Sequence, residues 1–510
     1  MTPTRTAVAL CSLLLAGCGL AEAEIAVDDT STAASDVVEG TINNTPDAAV
    51  DVFIDVTDPS RTPILYERGF VQPMNAAVDG QTDSTLRALS AGATVSTATI
   101  DLNAPGTESQ FLLQGSSLTF NPAAPDFVTT RLRTVRAIEL DAGVAMKRLV
   151  QISGMPAVLS DAGWLDERFI PRDGINGNFY PLVAPRYLDD VQGAVTAWVL
   201  AKAQQPELAG ATWIGTQEPS HTLGFSPLPL EDGGLPCTSI DVDRDDCRMQ
   251  NINRMIRYWK PIAATLVDAG VAVGGVQLNS HDHDLYAWAA ARIVDAGMPL
   301  STFTIQRYSS SPNLMNDAQA AYDVLHRSPG YEAVKISFDR YSFDNQLSGV
   351  NDPRSIEYFT TSAGAVDFLA NEAEIMDHAD IMGGYSYQGA ALGIPGAWLG
   401  KAIGWLQKAP TNRVPVTSTS RDVSGFALVT DNRRSSIALY NTSNVRAHQV
   451  TLSLAHGIAP GNAVVTIYRG SGTDFTEGSA VLTGTIARST LAQTLDLPPR
   501  SFVLIDVTRP

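Results

Sequence analysis

Three times in this chain the tripeptide Asp-Ala-Gly stands just ahead of a run of β-forming residues. It ends at Gly143 before MKRLVQISG, at Gly270 before VAVGGVQL and at Gly297 before STFTIQRY. A glycine one position past a helix takes the left-handed conformation that stops it, and β-formers directly afterwards mark a helix-to-strand junction. A chain that repeats this junction is built from β/α units. Such units close into a parallel barrel or spread into an open doubly wound sheet. No GxGxxG is present to support the open sheet.

Read in order, the pattern predicts strands at Tyr66–Gln72, TVSTATIDL, MKRLVQISG, Ala211 onward, VAVGGVQL, STFTIQRY, YEAVKISFD and DIMGGYSYQ. Helices are expected between them, among them Leu188–Gln205, Met249–Ala269, Asp317–His326 and one unbroken helix Ile356–His378, with AWLGKAIGWLQKA last. Eight strands alternating with helices predict a (β/α)8 TIM barrel over 66–409. After Pro410 the period becomes that of short strands separated by Gly, Asn, Asp and Pro: VPVTSTS, GFALVT, SSIALYN, HQVTLSL, AVVTIYR, AVLTGTI and SFVLIDV. That predicts a β-sandwich over 410–510. An early alternating strand, DVFIDV, has no place in a barrel, so segment 50–65 is expected to join the sandwich.

The beginning of the chain speaks to compartment. Arg5 precedes the apolar run AVALCSLLLAG, too short to span a bilayer but suited to a signal peptide. The run ends in Leu15-Ala16-Gly17-Cys18, which resembles the bacterial lipobox. That resemblance implies a signal peptide over 1–18, lipidation of Cys18 and a mature protein anchored in the cell envelope, with 19–49 as a polar tether. Cys237 and Cys247 are the remaining cysteines and are expected to form a disulfide that staples a small loop in an exported protein. Asp241, Asp243 and Asp245 alternate within that loop, but the glycine and twelfth-position glutamate of an EF-hand are missing, so a solvated acidic loop is the expectation. His281-Asp282-His283-Asp284 lacks a third ligand and is read as the approach to a helix with Asp284 as its cap, so no metal or other cofactor is expected. The net charge of −19, from 35 basic and 54 acidic residues, argues against nucleic acid and against a polybasic membrane patch. A monomer is expected.

The chemistry-bearing stretch is ATWIGTQEPSH. Proline cannot donate to a sheet ladder, so Pro219 places Glu218 where the fourth strand opens into a loop, the end of a barrel strand at which active sites are built. The order of elements and several segments resemble glycoside hydrolase clan A, with family 39 and the family 86 agarases as the nearest types. The resembling segments are SGMPAVLSDAGW after strand three, WIGTQEP in strand four, VAVGGVQL in strand five and FTIQRY in strand six. The resemblance implies hydrolysis of β-glycosidic bonds in a poly- or oligosaccharide by two carboxylates. Glu218 would be the acid/base, Gln217 would bond a sugar hydroxyl where the clan has Asn, and Tyr308 would bond the nucleophile. Gln306 stands where the clan often has His. The clan ends strand seven with Glu, whereas KISFDRYSFD offers Asp339, one methylene shorter, as candidate nucleophile or base. His221 is a candidate to tune proton transfer. Trp164, Tyr180, Phe225, Tyr308, Tyr341, Tyr385, Tyr387 and Trp398 fall at expected loop ends, where sugars stack; Trp164, Tyr341 and Trp398 stand with Tyr308 as substrate-binding candidates. Apolar neighbours such as Trp213 or Phe225 are expected to raise the Glu218 pKa. The alternative is a glycan-binding surface lipoprotein that kept the fold and lost turnover; a structural envelope protein is a third reading.

Overall fold

The structure is a computed structural model. It describes residues 49–55, 58–72, 93–102, 110–115, 117–144, 146–153, 156, 158–161, 185–215, 245–278, 283–308, 314–342, 353–388, 398–430, 434–456, 463–471, 474–482 and 489–508.

Eight parallel strands close into a barrel: Glu67–Gln72, Val95–Asp101, Lys147–Ser153, Thr212–Ile214, Ala272–Leu278, Thr302–Tyr308, Lys335–Ser342 and Met382–Gln388. They are called strands one to eight below. Each pairs with its neighbour in sequence, and strand eight returns to strand one from Gly384↔Glu67 to Gln388↔Val71. The (β/α)8 barrel with a C-terminal β-rich domain is therefore the architecture, as the β/α spacing predicts. At the Asp-Ala-Gly junctions Gly143, Gly270 and Gly297 have φ of 72°, 77° and 63°. At Gly270 an added Cβ would meet nothing, so the backbone conformation and not crowding selects glycine there.

Three local expectations differ. The single helix expected at Ile356–His378 is two, Pro353–Thr360 and Ser362–Asp377, because Thr361 is extended at φ −110°, ψ 171°. The hydroxyl of Thr361 bonds back to the Tyr358 carbonyl at 3.1 Å, the local competition by which threonine interrupts a helix. A hairpin, Phe111–Gln114 with Ser117–Phe120, intervenes after strand two. Helix Asp245–Asp268 starts four residues before the expected Met249, and the helix after strand five starts at His283, which puts Asp284 in its first turn.

The C-terminal strands form two sheets. One has the order Val416–Ser418, Val50–Asp55, His448–His456, Ser489–Leu497; Val50 pairs in parallel with Val450 and Ile54 antiparallel with Val416. The other runs Asp474–Leu482, Ala463–Ser471, Phe502–Thr508, Arg434–Asn441, Val423–Thr430, Asn412–Val414, Thr62–Pro63. The strand expected at AVLTGTI thus lies earlier, at Asp474–Leu482. Val50, Val52, Ile54, Leu452, Leu495, Ala427, Ile437, Ile505 and Val507 form the core between the sheets. Alternating with them, Phe426, Leu428, Ala438, Tyr440, Phe502 and Leu504 turn the other way and join the barrel core. This second sheet is buried on both faces, which is why Arg434–Asn441 is buried at seven consecutive positions instead of every other one.

Candidate active site in the barrel lumen

The lumen changes character along the strands. At one level Val95, Leu149 and Ile214 make a small apolar cluster. An added Cβ on Gly274 would come within 3.1 Å of both Ile214 and Thr302. Further along the lining is polar. Thr302 Oγ1 and Ser337 Oγ lie 2.9 Å apart, and Thr97 Oγ1 donates to Ser386 Oγ at 2.7 Å. Above these come the groups able to do chemistry. Gln151 of strand three donates from Nε2 to Asp339 Oδ2 at 2.6 Å, and Thr99 of strand two donates to Gln151 Oε1 at 2.7 Å. Arg340 Nη2 donates to Thr99 Oγ1 at 2.6 Å. Strand seven lies across the ring from strands two and three, so the bonds of Asp339 and Arg340 are made across the interior, while Thr99 and Gln151 are on neighbouring strands. Beside them Gln277 Nε2 donates to Gln306 Oε1 at 3.3 Å, and the Gln277 amide donates to Thr304 Oγ1 at 3.0 Å.

Two β-bulges aim this layer. In strand seven, Ile305 pairs with Phe338 but Gln306 with Arg340, so Asp339 is the extra residue. Against strand eight, Phe338 pairs with Tyr385 and Tyr341 with Tyr387, which leaves Asp339 and Arg340 facing Ser386 alone. A bulge puts two consecutive side chains on the same side, and here Asp339 and Arg340 both enter the lumen. In strand five the extra residue is Gln277, with φ 47°. A buried glutamine in the left-handed region costs on the order of 1 kcal/mol or more, and residues held there cluster at functional sites.

The strand-seven bulge corrects one expectation, and packing corrects others. Tyr341, expected as a sugar platform, lies outside the wall: it is fully buried, 6.1 Å from Phe338 and edge-on to Tyr385 at 5.8 Å. Tyr385 is likewise buried outside the wall, 6.2 Å from Tyr66. Trp398 is buried against the C-terminal domain, edge-on to Phe502 at 6.1 Å, and is packing instead of platform. Trp213 packs edge-on against Trp198 of helix Leu188–Ala203 at 5.8 Å, away from the lumen. Of the other candidates, Glu218, Gln217, His221, Trp164, Cys18 and Cys237 lie outside the described residues, as do Tyr180 and Phe225. Tyr308 closes strand six, and Cys247 is in the first turn of helix Asp245–Asp268; neither side chain is described. Sequence reasoning passed over Gln151, Thr99, Gln277 and Arg340. None of them stood out locally: Ser96, Thr97 and Asp101 are polar beside Thr99 in strand two, as are Lys147, Arg148 and Ser153 beside Gln151 in strand three.

Outside the wall lies a second ionic group. Arg68 of strand one meets Glu372 of helix Ser362–Asp377, Nε to Oε2 at 3.6 Å, and Tyr66 Oη donates to the same oxygen at 3.4 Å. Tyr385 also bonds Glu372. Burial pushes the Glu372 carboxyl above its ordinary value, with Arg68 and the two tyrosines opposing it. Burial likewise raises Tyr66 and Tyr385, which keeps both phenols neutral donors.

No protein-family model matches the chain, and no curated protein matches it by sequence. Solved structures do match its fold. The GH39 enzyme from Xanthomonas axonopodis pv. citri is similar at TM-score 0.63 and 11% identity, over 91% of this chain and 98% of that one. A monomeric beta-xylosidase from Caulobacter crescentus CB15 matches at TM-score 0.59 and 12% identity, over 90% and 99%. A glucosidase from Croceicoccus marinus matches at 0.57 and 13%, over 91% and 100%. The likeness covers about nine-tenths of this chain, so barrel and C-terminal domain together share the fold of these enzymes.

Proposed function

We propose that the chain is a glycoside hydrolase acting on β-glycosidic bonds of a poly- or oligosaccharide, related in mechanism to clan A and nearest to its family 39. Glu218 is the general acid, donating its proton to the leaving glycosidic oxygen. Asp339 is the second carboxylate: it either attacks the anomeric carbon, for a later water deprotonated by Glu218 to displace it, or takes the proton of a water that attacks directly. The observation that carries this reading is Asp339 itself, a carboxylate inside the lumen on strand seven, oriented by Gln151 from across the barrel. Support comes from the shared fold with a beta-xylosidase and a glucosidase. Tyr308, Gln217 and His221 are assigned to substrate positioning. We further propose a lipid anchor at Cys18 in the bacterial envelope, a Cys237–Cys247 disulfide and a monomer.

One observation favours the second reading, a glycan-binding protein without turnover: Asp339 is fully buried. The deciding experiment is a reducing-end assay on a broad oligosaccharide panel, paired with calorimetric titration. Hydrolysis that falls roughly a hundred- to ten-thousand-fold in both Glu218→Gln and Asp339→Asn, with binding kept, supports the hydrolase. Binding with no turnover in wild type, unchanged in both variants, leaves the binding reading.

A further inference from the structure

The lumen holds a cation that the two-carboxylate reading does not use. Arg340 is partly buried, its Nη2 donates to the neutral Thr99 hydroxyl, and its Nε is buried without a hydrogen-bond partner. Among the described residues no carboxylate forms an ion pair with it; Asp339, next in sequence, turns Oδ2 to Gln151 instead. Arg68 and Arg148 share the buried Nε without a hydrogen-bond partner, but they and two other interior arginines differ in meeting a carboxylate. Arg68 meets Glu372, Arg148 meets Glu139, Arg413 meets Asp377 and Arg500 meets Asp367. Taking a guanidinium out of water is costly unless an anion and well-placed acceptors receive it. Its planar fork of five donors matches two oxygens of one oxyanion, and here the neutral hydroxyl of Thr99 occupies a single donor.

We infer that Arg340 receives an oxyanion borne by a sugar ring, a uronic acid carboxylate or a sulfate ester, so that the substrate class is an acidic poly- or oligosaccharide. This rests on the carbohydrate reading above and narrows it. Gln277 and Gln306 beside the fork supply neutral amides for ring hydroxyls, donors and acceptors alike. The net charge of −19 does not oppose the assignment. At physiological salt the screening length is about 8 Å, so the bulk of that charge is screened from a ligand in the lumen, while a direct fork contact is not.

The test is calorimetry on full-length protein carrying Glu218→Gln to suppress turnover. Its ligands are glucurono-, mannurono- and galacturono-oligosaccharides, the methyl esters of the same uronides, sulfated galactan oligosaccharides, and xylo- and gluco-oligosaccharides. The expected result is binding of an acidic ligand at least tenfold tighter than its neutral counterpart. Adding Arg340→Gln is expected to weaken the acidic ligand roughly ten- to a hundredfold and the neutral ones not at all, with Arg340→Lys between because it keeps charge without the fork. Preference for uronide or for sulfated galactan identifies the source of the oxyanion. Equal binding of acid and ester, equal weakening of both by Arg340→Gln, or no binding by any acidic ligand each overturns the inference. Should Arg340→Gln unfold, the acid-to-ester ratio on the chain with native Arg340 still decides. Neutral sugars bound or cleaved without acid preference sink this inference and leave the hydrolase reading. Acid binding through Arg340 with no turnover by wild type does the reverse.

Discussion

The barrel carries two buried groups of opposite charges, one outside its wall and one within, and they are built on opposite plans. Outside, Arg68 and Glu372 meet directly, flanked by Tyr66 and Tyr385 whose hydroxyls are held neutral by burial. Inside, Asp339 and Arg340 are adjacent in sequence yet each bonds a neutral group, Gln151 and Thr99, and those two bond each other. The outer group pairs its charges directly and belongs to the packing between barrel and helix Ser362–Asp377. In the inner group Arg340 meets no carboxylate among the described residues, the arrangement expected where a ligand supplies the anion. Burial alone therefore does not separate structural ions from functional ones; whether the pair is closed does.

The strongest way to break this contrast is to open the outer pair. Arg68→Met leaves Glu372 buried without its counter-charge and is expected to cost about 3–5 kcal/mol in denaturant unfolding, with ligand affinity unchanged at temperatures where the variant is folded. Arg68→Met with Glu372→Leu should recover most of that loss; a double variant as unstable as the single would show that the pair is not closed in this sense.

The inner group should respond the other way. Gln151→Leu removes a donor to the Asp339 carboxylate and is expected to cost about 1.5–3 kcal/mol in the same unfolding measurement, less than opening the outer pair. If the hydrolase reading holds, it also lowers turnover more than it lowers affinity, because the carboxylate loses its aim. Stability loss larger than that of Arg68→Met would reverse the comparison.

A pH series sharpens it. The folded Glu372 carboxyl titrates above its ordinary 4.5 because burial penalises the charge. The native state then binds more protons than the unfolded state in the window that begins near 4.5 and extends to the folded value. Its contribution to stability is complete below that window and declines as pH rises through it, by at most about 1.4 kcal/mol per pH unit. The difference in unfolding free energy between wild type and Glu372→Gln should fall with rising pH there; a flat or rising difference contradicts the assignment.

The smallest expected effect is at the strand-five bulge. Gln277→Gly relieves the positive φ of 47° and loses the bond to Gln306, so thermal unfolding should move by about 1 kcal/mol or less in either direction. Affinity for a bound glycan should fall clearly further than stability does.

The sequence carried the barrel well, since Asp-Ala-Gly junctions and strand spacing are local signals and each β/α unit repeats them. It carried the lumen poorly, for one local reason. Simple alternation from Asp339 sends Arg340 outward and Tyr341 inward, and the bulge reverses both, turning an expected sugar platform into core and hiding a cation that faces the lumen. A single extra residue in a ladder leaves no mark on composition or period. Trp398 misled differently: its surroundings come from Phe502 and Gly470 of the other domain, a contact that no local pattern encodes.

The placement of Val50–Asp55 has a consequence for the order of folding. Val50 pairs with Val450, a contact spanning nearly the whole described chain, and closing so long a loop from an extended coil is slow and entropically unfavourable. Barrel closure brings strand one, starting at Glu67, against strand eight, ending at Gln388. Once that seam forms, Val50 is tied to Val416 through two short tethers and no longer through the entire intervening chain. The barrel thus acts as a splint on which the sandwich assembles, and amide protection during refolding should reach strands one and eight before it reaches Val50–Asp55.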